Sequence, residues 1–170
     1  MAPGLHGANA SGQPFTPDDA DGLLFPVLHA YGFASAPVTQ SANDGLVLSD
    51  CRITNAVKCL PPDNKPVAAE INACNDFLAS ELARARVLLT LGGLAHKATI
   101  KALALRQADY PFGHAARFNL ASGQQLIASY HCSRYNRNTR RLTPEMLANV
   151  FATARAMVDN PLPVTQSSAS

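Results

Sequence analysis

The chain has 170 residues, 47% of them hydrophobic and 15% charged, with a formal net charge of +2 at pH 7. That length and apolar content suit one soluble domain with a buried core, and no apolar run approaches the ~18–20 residues of a membrane span. No basic stretch followed by apolar residues opens the chain, so no signal peptide is read there and a cytoplasmic protein is expected.

Residues 1–22 are rich in Gly, Pro, Ala, Asn and Asp and read as loop. "GLLFPVLHAYGF", from Asp21 onward, predicts a helix with acids at its N-terminal end, where the dipole favours them. Pro26 is expected in its first turn or so, where proline is tolerated. "SAPVTQSANDG" is loop, and the β-branched "RITNAV" (52–57) predicts a strand. "KCLPPDNKP" is loop because of its prolines.

Over residues 67–84, Ile71, Cys74, Leu78 and Leu82 fall on one helical face. "RVLLTLG" (86–92) is an apolar strand ending on glycine, "GLAHKATIKALAL" a helix and "QQLIASY" a strand. "PEMLANVFATARAMV" is a final helix with Thr143 as N-cap and Pro144 at its first position. The tail from about residue 159 reads as disordered.

Strands alternating with helices predict parallel βαβ units in a three-layer α/β/α domain. Ligands of such folds sit beyond the carboxyl ends of the strands. That rule gathers "NAVKCLPP", "LGG" and "HCSRYNRN" into one place.

Charge is uneven along the chain. Residues 1–83 hold three bases and nine acids, whereas residues 84–141 hold ten bases and one acid, Asp109. Such asymmetry suggests a face for a polyanion, against the plain reading of solvated surface arginines.

His131, at a strand end, is a candidate to donate to a developing anion or to act as a base, against a histidine satisfied by backbone. Asn55 carries a donor and an acceptor inside an apolar stretch and needs a partner, either a base edge or backbone. Phe15 is a candidate to stack on a flat ligand or a core residue. Asp18, Asp19 and Asp21 suit helix caps, with one of them free to orient water. "APGLHGAN" lets backbone amides approach a ligand. Cys51 and Cys132 read as small buried hydrophobes. Cys59 and Cys74 alone make no metal site, and nothing in the spacing ties His96 or His114 to one.

"APGLHGANASGQPFT", "RITNAVKCLPPDNKP", "INACNDFLASEL", "LLTLGGLAH" and "SYHCSRYNRNTRRLTPEM" together resemble the uracil-DNA glycosylase superfamily, from Ala2 to about Val158. They look most like family 5, the iron–sulfur type-B enzymes. Family 4 typically has proline where this chain has Cys132. The resemblance implies a uracil-DNA glycosylase-like domain over 1–158. It also implies monofunctional hydrolysis of the N-glycosidic bond of uracil, and of other deaminated bases, in DNA. His131 would stabilise the departing base, and Asp18 would be the catalytic carboxylate. Asn55 would read the base edge and Phe15 would stack on it. Ala2–Gly4, His6 and Asn9 would line the pocket.

Extruding the base costs a few kcal/mol, offset by phosphate contacts and a residue filling the gap. Ser133, Arg134, Arg137, Arg140 and Arg141 are the expected phosphate holders, and Tyr135 the expected wedge. Cys59 and Cys74 match two of the four ligands of the family's 4Fe-4S cluster; the other two belong to an N-terminal cysteine pair that this chain lacks. The resemblance also places a strand ahead of Ala2, paired between 52–57 and 86–91. Without it, marginal stability and no bound cluster are expected from Met1. The expected partner is DNA, with no membrane and a monomeric protein. The competing reading is a DNA-binding fragment without turnover. No GxSxG motif supports an unrelated α/β hydrolase.

Overall fold

The computed structural model describes residues 21–39, 44–58 and 67–160. Five helices and three strands follow in order: α1 Asp21–Ala30, α2 Ala68–Leu82, β1 Val87–Leu91, α3 Gly93–Ala102, β2 Arg117–Asn119, β3 Gln125–Ser129, α4 Arg134–Asn138 and α5 Pro144–Asp159. A 3₁₀ turn covers Gln107–Asp109.

The sheet has the order β1-β3-β2. β1 and β3 are parallel, with Leu88 opposite Leu126 and Leu91 opposite Ser129. β2 runs antiparallel to β3. Helices cover both faces. The period-2 alternation of strand side chains sends Leu88 and Leu126 into a core with Leu78 and Leu82 of α2 and Ala98 and Ile100 of α3. It sends Leu89 and Leu91 toward Leu24, Leu28, Leu147 and Phe151 of α1 and α5. Ile127 joins Val150 and Ala154 of α5. The described residues therefore form the predicted three layers.

The helix ends follow their local chemistry. Thr143 caps α5: its Oγ1 accepts from the Met146 amide at 3.2 Å, and Pro144 fills the first position, where an amide would have no partner. Glu70 accepts from the Val67 amide at 2.9 Å at the start of α2. Pro26 is the sixth residue of α1 rather than part of its first turn, because the helix starts at Asp21.

Three expectations are corrected. Residues 52–57 form no strand. This segment is tied through its side chains instead: Glu81 of α2 accepts from Thr54 Oγ1 at 2.6 Å, Arg52 Nη2 at 3.1 Å and Lys58 Nζ at 2.6 Å. The sheet is mixed, not purely parallel, because Arg117–Asn119 returns as a hairpin arm closed at Gly123, whose φ is +84°. "HCSRYNRN" is not all loop, since Arg134–Asn138 is a helical turn.

The missing ladder at 52–57 has a visible cause. β1 is the sheet edge among the described residues, and a cavity of about 410 Å³ runs along it. Asp50–Thr54 line one side and Arg86–Leu91 the other. Leu24, Leu28 and Phe151 contribute from one helical layer, and Leu78, Leu82 and Thr99 from the other. Among the described residues, the segment thus stands across a groove from the strand edge nearest to it. The resemblance to the glycosylase family implies a strand between the two.

Candidate active site

β1 and β3 are parallel neighbours, so Gly92 and Tyr130–His131 emerge together from the carboxyl end of the sheet. The Gly92 amide donates to the Ser129 carbonyl at 2.8 Å, extending the ladder by one bond. The chain then turns into α3 with Gly92 at φ +96°, a conformation that favours glycine.

His131 is largely buried there. Burial pushes its imidazole down to about 4, because desolvation disfavours the charged form. It is therefore neutral at pH 7. Its Nε2 is buried and has no hydrogen-bond partner among the described residues. Buried polar groups are rarely left so, and an unpaired nitrogen on a neutral ring is free to meet a ligand atom.

The next residues anchor this histidine. Asn136 Nδ2 donates to the His131 carbonyl at 2.7 Å. Cys132 is fully buried in the core beside Leu142 and Leu147. Ser133 N-caps α4 by accepting from the Asn136 amide, so its hydroxyl already has a structural task. Arg134 on this helix, and Arg140 and Arg141 just after it, are exposed, and Arg141 lies over the Tyr130 ring at 4.7 Å. Arg137 instead packs toward α1: a Cβ at Gly22 would lie 3.2 Å from its Nη1. Tyr135 is 71% exposed, the surface that a wedge requires. The structure thus gathers a buried neutral histidine and three exposed guanidiniums at one strand end.

Asn55 is half-buried, and its side chain has no hydrogen bond among the described residues. It lies on the segment across the groove from β1. Gly4, His6, Asn9, Phe15, Asp18 and Cys59 lie outside the described residues. The groove along β1 does not include His131 among its lining residues. The histidine and the cations around it mark the chemical site more firmly than cavity size, because the groove is lined mainly by aliphatic side chains.

The metal question turns on the thiols. A four-iron cluster takes four thiolates, and the chain has four cysteines. Cys132 is committed to the core. Cys51 donates to the Phe33 carbonyl at 3.5 Å, and burial pushes its thiol up to about 11, the opposite of what a thiolate ligand needs. Cys74 accepts from the Lys58 amide at 3.4 Å. Among the described residues no group of three or more potential ligands converges. The chain's own residues do not fit a four-thiolate cluster, and Cys59 and Cys74 are at most half of one.

Sequence reasoning did not single out Gly92 or Tyr130. A glycine pair after an apolar strand and an aromatic beside the histidine were the available signals. His96 is settled as structural: it is buried, with Nε2 2.8 Å from the Tyr110 carbonyl and Nδ1 3.3 Å from Thr90 Oγ1.

The family model of the uracil DNA glycosylase superfamily matches residues 1–155. The chain belongs to that superfamily. Among its glycosylase relatives, a type-5 uracil-DNA glycosylase from Thermus thermophilus is 41% identical over 160 residues, covering 92% of this chain and 73% of the relative. The type-5 uracil-DNA glycosylase of Pyrobaculum aerophilum is 40% identical, over 92% of this chain and 69% of its own length. That of Mycobacterium tuberculosis is 36% identical, over 92% and 60%. A type-4 glycosylase from Saccharolobus solfataricus matches over only 66 residues, in keeping with the family-5 character of the histidine motif.

Proposed function

We propose that this protein is a monofunctional DNA-repair glycosylase that hydrolyses the N-glycosidic bond of uracil, and of other deaminated bases, in DNA. The observation that carries this reading is the buried, neutral and unpartnered Nε2 of His131 at the root of a cationic helical turn. A glycosylase must take its base out of the stack. Arg134, Arg140 and Arg141 hold phosphates around that base, and Tyr135 enters the gap it leaves. Neutral His131, protonated at Nε2, donates to the oxygen on which charge grows as the base departs. A donor preorganised in a desolvated site needs no reorganisation at the moment of bond cleavage. Asn55, whose side chain has no partner among the described residues, reads the base edge. Phe15 stacks on it, Gly4, His6 and Asn9 line the pocket, and Asp18 orients the attacking water.

A separate lyase step would need a free amine. Lys58 and Lys65 lie in a matched motif; Lys58 Nζ is held by Glu81 and Thr54 at 2.6 and 2.5 Å, and Lys65 lies outside the described residues. The engagement of Lys58 counts against its use in a lyase step. The protein acts on DNA as a monomer in the cytoplasm. Among the described residues no helix is long and apolar enough to cross a membrane.

The groove along β1 favours a second reading, in which the chain binds DNA without turning it over, because among the described residues β1 has no partner on that side to support the site. Two assays on the protein separate the readings. Incubation with a uracil-containing duplex should yield free uracil and an abasic site, with none from the cytosine control. Binding to abasic DNA without base release would establish the second reading.

A further inference from the structure

His114 lies two elements away from His131 in sequence and beside it in space. Its Nδ1 accepts from the Tyr130 amide at 3.3 Å, the residue immediately before His131. The Met146 backbone in the first turn of α5 acts on the same ring, favouring its charged form. The His114 ring stacks on Tyr130, with centroids 5.1 Å apart and planes 26° apart. Tyr130 in turn carries the Arg141 guanidinium. Ser129 Oγ lies 3.4 Å from the same Nδ1 and donates to the Tyr130 carbonyl at 3.0 Å.

The backbone around His114 is itself pinned to β3. The Ala115 amide donates to the Ala128 carbonyl at 2.8 Å, with Ala115 at φ +60°. His114 is thus a brace at the point where β3 ends and His131 begins.

We propose that His114 is a positioning residue, and that its imidazole, accepting from the Tyr130 amide and stacked on the Tyr130 ring, fixes the strand end that aims His131. This rests on the glycosylase reading above. An amide only donates, so Nδ1 must be the unprotonated nitrogen of the ring. Protonation would set an N–H against the Tyr130 N–H, and the brace would open at that end. Arg117 lines the same 310 Å³ cavity, in which no carboxylate stands, and Arg141 sits on the stacked Tyr130 ring. Burial also lowers the His114 imidazole from its ordinary value.

The test compares wild type, His114→Ala and His114→Asn in single-turnover uracil release across pH, with binding to abasic DNA measured alongside. His114→Ala removes the acceptor, and release should slow roughly 10–100-fold, the cost of a slightly misaimed catalytic group. Affinity for abasic DNA should stay within about twofold, since no phosphate contact is touched. Asn at 114 keeps an acceptor oxygen near the Nδ1 position and cannot be protonated. It should restore most of the rate and remove one proton from the acid limb of the pH profile.

Equal release rates in wild type and His114→Ala would overturn the proposal, as would an acid limb unchanged in His114→Asn. Should the alanine variant fail to fold, the asparagine pH profile decides alone. Should wild type release no uracil, the glycosylase reading fails. The brace is then tested by the Tyr130 amide resonance, which must titrate with His114 in wild type and lose that titration in His114→Asn.

Discussion

Gly92 and His131 face each other across the end of the β1–β3 pair: a Cβ added at residue 92 would lie 3.2 Å from His131 Cβ. The glycine also holds φ +96° and ψ 156°, a region that side chains avoid at a cost of about 1–3 kcal/mol. Gly92→Ala therefore both strains the turn and pushes the histidine. The variant should melt several degrees lower, and its release of uracil should fall further than its DNA affinity. Parallel melting, binding and single-turnover assays check this; unchanged turnover would free His131 from the turn's control.

The exposed arginines of the helical turn should grip phosphate without reading sequence. Replacing Arg134 and Arg140 by alanine should weaken binding about equally on different flanking sequences. It should also flatten the salt dependence by about one to two phosphate contacts. Titrations at several salt concentrations measure the slope, and an unchanged slope would place the DNA elsewhere.

His131 makes stability pH-dependent. Its imidazole is depressed from 6.5 to about 4 in the folded state, so the unfolded chain binds the extra proton first. Stability from this group is fully present above pH 6.5 and is lost as pH falls from 6.5 to 4. The loss amounts to about 3 kcal/mol. The lowered imidazole of His114 acts in the same direction. Denaturant melts at pH 7 and pH 4.5 should show the loss in wild type. His131→Asn should show a shallower loss, and an equal loss in both would mean the buried proton site lies elsewhere.

Iron should not be held by this chain alone. With Cys132 in the core and Cys51 bonded to Phe33, at most two thiols remain. Anaerobically purified 170-residue protein should be colourless, and Cys74→Ala should change no absorbance in the visible range. A brown protein with four irons per chain would contradict the assignment of Cys51 and Cys132.

Much of this architecture was legible because it rests on local chemistry. The apolar run 86–92, the Thr143-Pro144 cap and the helical face containing Leu78 and Leu82 all specify their own structure. Residues 52–57 misled because β-branched residues favour a strand only where a neighbour offers hydrogen bonds. Here a groove separates them from β1, and side chains tie them to Glu81 instead. The hairpin arm Arg117–Asn119 escaped notice because three residues with polar ends carry no period. At the site, His131 and the arginines were legible from their motif. The brace by His114 was not, because it joins residues 16 positions apart through a ring nitrogen and a backbone amide, a relation that no sequence spacing encodes.

The central claim is that the orphaned Nε2 of His131 stabilises the departing base. Single-turnover uracil release by wild type and His131→Ala tests it most directly, with abasic-DNA affinity as the control. A single preorganised donor is worth about 10²–10³-fold in rate. The account predicts that loss in His131→Ala, with affinity for abasic DNA nearly unchanged. Release within a factor of a few of wild type would remove His131 from the chemistry.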